Sequence, residues 1–250
     1  MYRVTALFSV LLFGFVSGAM AQTNGDPAHI YEAYYQVNYG DMPEWNRLFN
    51  EHSVPVLEDL QTKGVIQGWS HWQHQTGGEY NVRFTARTND WASIDTFWSE
   101  YLAQLNARSP EDSEAFGRMI AAHHDEIWNV AAVNVPEGVE NAYMYAATYR
   151  HNFADGPEWD RIWGELATPV LDQAMADGLL GGWVRLTHNT GGDHNFKVLY
   201  LFEDWDDMDD FFAFTSSTMS EKYPEDFARF GSLIQAHDDV IWAPAPRGGM

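Results

Sequence analysis

The stretch Met-Pro-Glu-Trp-Asn-Arg-Leu-Phe at residues 42–49 returns as Gly-Pro-Glu-Trp-Asp-Arg-Ile-Trp at residues 156–163. That offset of 114 residues aligns 35–128 with 149–242 without a gap, and about a third of the paired positions are identical. The matches include Asn38/Asn152, Asp41/Asp155, Pro55/Pro169, His74/His188, Asn81/Asn195, Asp90/Asp204 and His123/His237, together with a Thr-Gly-Gly triplet at 76–78 and 190–192. Two copies are too few for a solenoid. They fit a duplicated unit whose halves pack about a pseudo-two-fold axis, imitating a homodimer. The units are placed at 27–136 and 141–246.

One unit reads as strand, helix, hairpin, helix, strand. Residues 31–39 are rich in aromatics and predict a strand. Asp41 is the expected N-cap of a helix running to about residue 62, with Pro43 just inside it and Glu44 as the capping-box partner. Pro55 should kink that helix. Residues 66–74 and 80–87 flank the Thr-Gly-Gly turn and predict a hairpin. Asp90 caps a second long helix. Pro110 starts another helical piece ending near His123, and 127–133 predicts the closing strand. Trp45, Trp91 and Trp128 are expected in the core. The order β-α-β-β-α-β is the ferredoxin-like order. The fold class is therefore α+β, with two tandem ferredoxin-like repeats packed as a pseudo-dimeric α+β barrel.

On element order, unit length and duplication, the chain resembles the dimeric α+β barrel superfamily. That superfamily includes antibiotic-biosynthesis-type monooxygenases, NIPSNAP-like proteins and haem-containing chlorite-dismutase relatives. The resemblance covers nearly all of both copies and selects no subfamily. It implies small-molecule chemistry of monooxygenase, isomerase or lyase type, and it admits haem as a cofactor. The residues themselves call for no cofactor and no metal.

The first 21 residues carry Arg3, an apolar run at 6–16 and Ala19-Met20-Ala21. This is the pattern of a cleaved secretory signal, with Gln22 as the mature N-terminus and a periplasmic or secreted destination. The apolar run falls short of the roughly 20 residues that span a bilayer. The chain has no cysteine, which excludes disulfides and thiolate chemistry. Its formal charge of −22 repels nucleic acid and anionic membrane. P-loop, dinucleotide-binding, G-x-S-x-G and H-E-x-x-H patterns are all missing from the sequence.

Candidate site residues follow from the hairpin strands. If the apolar side of each faces the helices, Trp69, His71, Asn81 and Arg83, with Trp183, Arg185, Asn195 and Lys197, point into the space enclosed by two sheets. The whole chain has 14 Lys and Arg, and three of them on this surface suggest a pocket for a polar or anionic ligand. Substituting Arg83 and Lys197 together is then expected to abolish binding of an acidic ligand. His123 and His237 each sit beside a carboxylate, as His-His-Asp and His-Asp-Asp, and read as tuned acid–base groups, as metal or haem ligands, or as helix C-terminal histidines. His74 and His188 precede the glycine turn and serve either the pocket mouth or the turn itself. Asn38 and Asn152 present amides to a ligand or cap a loop.

The expected function is an exported small-molecule-binding protein, an enzyme working on a polar or aromatic substrate in the barrel interior by His-assisted acid–base chemistry. The alternatives are a non-catalytic metabolite- or haem-binding protein and a structural interaction module whose cavity is filled by side chains. Neither nucleic acid nor membrane is an expected partner. Both a monomer and a homodimer fit the sequence.

Overall fold

The computed structural model describes residues 29–136 and 141–246; the expected signal segment lies outside the described residues. The first half contains β1 (His29–Val37), α1 (Met42–Leu48), α2 (Val54–Thr62), β2 (Gly68–Thr76), β3 (Val82–Thr88), α3 (Trp91–Arg108), α4 (Pro110–Met119) and β4 (Ile120–Asn134). The second half repeats the series as β5 (Tyr143–Arg150), α5 (Gly156–Arg161), α6 (Thr168–Ala176), β6 (Gly182–Thr190), β7 (Phe196–Phe202), α7 (Asp207–Lys222), α8 (Pro224–Leu233) and β8 (Ala236–Pro244).

The eight strands close into one antiparallel barrel in the order β1-β3-β2-β8-β5-β7-β6-β4. Each half contributes four contiguous strands. The two seams, β2 against β8 and β4 against β6, join one half to the other. Closure leaves no free sheet edge. The chain therefore builds three apolar layers. One fills the barrel around Ile30, Trp128, Met144, Leu186, Leu199 and Trp242. The other two lie between the strands and the helices of each half. Among the described residues, no helix is long and apolar enough to cross a membrane.

Several local expectations change. Asp41 and Asp155 make no side-chain cap; each instead accepts from the amide of Asn38 or Asn152 across a short 3-10 turn. The helix before Pro55 is interrupted by a π-helical turn at Phe49–Ser53, repeated at Ile162–Ala167 before Pro169. A proline lacks the N–H that would continue the ladder, and the wider turn absorbs that loss. Asp90 does cap α3, accepting from Ser93 N at 2.7 Å. Trp45 and Trp128 are buried, whereas Trp91 at the start of α3 is 52% exposed. The closing strands begin earlier than expected, at Ile120 and Ala236. His123 and His237 consequently lie within strands, not at helix ends.

Candidate functional site

Four charged side chains cluster in the barrel interior, on the side of β3 that also carries the buried Arg87. Arg83 and Lys197 are each 1% exposed, and Glu32 is fully buried between them. Arg83 donates to Glu32, and Lys197 donates to Glu32 and Glu126 at 2.6 Å each and to the Tyr34 hydroxyl at 2.9 Å. The Lys197 ammonium also sits 4.3 Å from the Trp128 ring centroid. Burial pushes the Glu32 carboxyl up, but Arg83 and Lys197 outweigh it and hold the group down at about 2. Two buried cations thus face two carboxylates. Arg83 and Lys197 do point inward, yet their charges are matched by Glu32 and Glu126. The expectation that this pair captures an acidic ligand is corrected on that ground.

The neighbouring strands have the opposite facing to the one expected. Val184 and Leu186 belong to the barrel filling, so Trp183 and Arg185 face the helices, as do Trp69 and His71. Trp183 packs in the helix-side core and donates to Asp172 at 3.1 Å. His71 stacks on Phe49 of the first helical segment with centroids 3.8 Å apart, and Trp69 packs beside Phe49. A closed barrel makes both sheet faces apolar, so an apolar side no longer identifies the helix side.

The asparagines are clamps. Asn81 accepts from Val37 N at 2.8 Å and donates back to its carbonyl; Asn195 does the same with His151. Asn38 and Asn152 serve the 3-10 turns just described. His74 and His188 bond the carbonyls of Gly77 and Gly191, and each meets a tryptophan of the other half edge-on across a seam, Trp242 and Trp128 respectively. These six residues therefore organise turns and seams.

His123 and His237 lie on the helix-facing surface of the barrel. His237 Nε2 is 2.9 Å from Asp239 Oδ1, and its ring stacks on Tyr149 with centroids 4.4 Å apart. His123 repeats both contacts with Asp125 and Tyr35. The halves differ in what lies beside these pairs. In the second half an apolar cavity of about 280 Å³ opens between the strands and helices α6, α7 and α8. Tyr149, Trp163, Tyr200, Phe212, Thr215 and Phe230 are among its walls. The place of Thr215 is taken in the first half by Tyr101, and that of Ser216 by Leu102. The Tyr101 ring stacks on Phe97, and its hydroxyl lies 2.8 Å from Ser53 Oγ. A phenol in the first half thus stands where the second half leaves space.

The polar groups of the cavity are chiefly donors. Burial, reinforced by the nearby Asp239 carboxylate, pushes the phenols of Tyr149 and Tyr200 well above their ordinary range, so both stay protonated. The Trp163 indole is 4% exposed, and its N–H has no partner among the described residues. No histidine lines the cavity, and a tyrosine would have to give up its proton to ligate iron. The described residues here do not suit haem. No group of three or more metal-binding side chains occurs among the described residues.

The sequence reading missed this cavity. Its signal is the offset of 114 itself, which sets Tyr101-Leu102 against Thr215-Ser216, two adjacent large-to-small changes on one helix.

No protein-family model matches the chain, and no curated protein sequence does. Solved structures do. A crystal structure of a candidate monooxygenase from Fusobacterium nucleatum subsp. nucleatum superposes with a TM-score of 0.61 at 11% identity, covering 91% of this chain and 98% of that one. One from Lactobacillus acidophilus NCFM gives 0.58 at 10% identity, over 90% and 99%. A chlorite dismutase mutant from Candidatus Nitrospira defluvii, in complex with cyanide, gives 0.54 at 10% identity, over 88% and 92%. At such identities the likeness is one of fold, and the fold is that of the dimeric α+β barrel superfamily, which monooxygenase-like and chlorite dismutase-like proteins share.

Proposed function

We propose that this chain is an exported enzyme that holds a small aromatic molecule in the cavity of its second half and acts on it by acid–base chemistry. In this reading the chain is a fused pair of ferredoxin-like units, 27–136 and 141–246, delivered to the periplasm or the exterior by the leader at 1–21. The first unit lends structure and the second keeps an open site. The observation that carries the reading is the cavity beside Trp163. It is walled by aromatic rings, with an unpartnered buried N–H in one wall. A buried donor without a partner is costly, and a ligand carbonyl or hydroxyl oxygen would satisfy it. His237, beside Asp239 and stacked on Tyr149, stands outside the cavity walls and is the proposed proton acceptor, reaching the ligand through one bridging water. The raised phenols of Tyr149 and Tyr200 are the proposed donors. The monooxygenase-like structures of the same fold agree with small-molecule chemistry without defining the reaction.

The test uses 1-tetralone, a bicyclic aromatic ketone. Titration should quench tryptophan fluorescence, and Thr215→Tyr, which copies the first half, should abolish the quenching while leaving the thermal unfolding midpoint unchanged or raised. Deuterium exchange at the carbon next to the carbonyl, followed by NMR in D₂O, should be catalysed. His237→Gln should slow that exchange by about 100-fold while tetralone still binds. Undiminished binding by Thr215→Tyr would remove the cavity from the proposal. Unchanged exchange in His237→Gln would remove the histidine from the chemistry.

A further inference from the structure

The two halves differ at one more pair of matched positions on the helix side. In the first half Trp45 Nε1 donates to His71 Nε2 at 3.3 Å. The matched residues are Trp159 and Arg185, held in the same register, since His71 lies opposite Phe84 on β3 and Arg185 opposite Val198 on β7. Arginine has five N–H donors and no acceptor. The exchange of histidine for arginine therefore removes the acceptor and adds donors. The consequence is visible in the bonding. Trp159, 1% exposed, has an unpartnered Nε1, and the buried Nε and Nη1 of Arg185 also lack partners among the described residues. Trp159 adjoins Trp163, their ring centroids 6.2 Å apart, and Trp163 is a wall of the cavity with its own unpartnered N–H.

We propose that Arg185 and Trp159 form a carboxylate-binding subsite adjoining the cavity of the second half. The inference rests on the ligand reading above and sharpens it, because the substrate class becomes aromatic acids. Unpartnered donors at Trp159 and Arg185, the positions whose first-half counterparts are hydrogen-bonded to each other, call for a group that only accepts. A carboxylate offers two oxygens to a guanidinium edge and an indole N–H, in charge-assisted bonds stronger than neutral ones. The preference for an anion is notable in a chain of charge −22. Lys197 and Arg83 are matched by carboxylates inside the barrel, whereas among the described residues no ion pair to Arg185 is formed. Within the first unit, His71 closes the same position with a neutral hydrogen bond, as Tyr101 closes the cavity.

The experiment compares 1-naphthylacetate with its neutral amide, 1-naphthylacetamide, which has nearly the same shape. Dissociation constants are measured by calorimetry for the wild type, Arg185→His, Arg185→Gln and Thr215→Tyr. The acid should bind the wild type at least about tenfold tighter than the amide. Arg185→His, which installs the residue of the first half, should erase that difference by weakening the acid alone. Arg185→Gln should do the same if the histidine variant folds poorly. Equal affinities for acid and amide in the wild type, with no change in either arginine variant, would overturn the subsite while leaving the cavity reading intact. Failure of both compounds to bind the wild type would overturn both. Loss of both compounds in Thr215→Tyr alone would tie the subsite to the cavity.

Discussion

Glu32→Gln is expected to destabilise the protein by about 3–5 kcal/mol, read as a fall in the urea midpoint at neutral pH. The substitution keeps the shape of the side chain, removes its charge and turns one of the two accepting oxygens into an N–H donor. Lys197 then keeps Glu126 alone, and Arg83 is left buried without its carboxylate partner. Lys197 comes from the second half and Glu32 from the first, so the bond lost is also a tie between halves. The same group sets an acid limb. Its folded carboxyl is held at about 2, below the ordinary glutamate value of 4.5. Its stabilising contribution is therefore complete above about pH 4.5 and is lost as the pH falls toward 2. The stability gap between wild type and Glu32→Gln should narrow over that window, since protonation of Glu32 reproduces the substitution. A gap that stays constant down to pH 2 would contradict the assignment.

The second large effect concerns the repeated Thr-Gly-Gly turns. Gly77 and Gly191 both have φ of 83°, a conformation that costs other residues about 1–2 kcal/mol. They are also in close contact across the seams. A Cβ at Gly77 would sit well inside 3.0 Å of the Asp239 carbonyl oxygen, and one at Gly191 equally close to that of Asp125. Both obstacles are backbone, so the strand must shift to accommodate a methyl group. Gly77→Ala and Gly191→Ala should each cost about 3 kcal/mol or more, from the strain together with the clash. Gly64→Ala is the control. Gly64 has φ of 73° but open space around its missing Cβ, and it should lose only about 1 kcal/mol. Guanidinium denaturation of the three variants distinguishes the two terms. Equal losses at Gly64 and Gly77 would show that strain alone matters and that the seams tolerate the added carbon.

Much of this arrangement is written in the amino acids. The duplication follows from a gapless match, and the element order follows from caps, glycine turns and alternating strands. Arg83 and Lys197 are legible as inward-facing because Phe196 and Val198 give β7 a clear apolar side toward the helices. The adjacent strand misleads. On β6, Val184 and Leu186 look helix-facing because local alternation says only that a side is apolar, and in a closed barrel both sides are. The histidines show a second limit. His123 and His237 are recognisable as a repeated pair beside aspartates, yet their placement in strands depends on where the closing strands start, which their pairing with β1 and β5 decides.

The sequence by itself determined that there are two like halves, that each runs strand-helix-hairpin-helix-strand, and which positions have diverged between them. These are local or internal comparisons, and propensity and pattern suffice for them. Only the tertiary structure decided what the diverged positions do. The matching of Arg83 and Lys197 to Glu32 and Glu126, the interlocking of the glycine turns with the opposite half, and the cavity opened by Thr215 all depend on which distant side chains closure of the barrel brings within a few ångströms. No window of sequence contains that information, because those contacts join strands and helices that are remote along the chain.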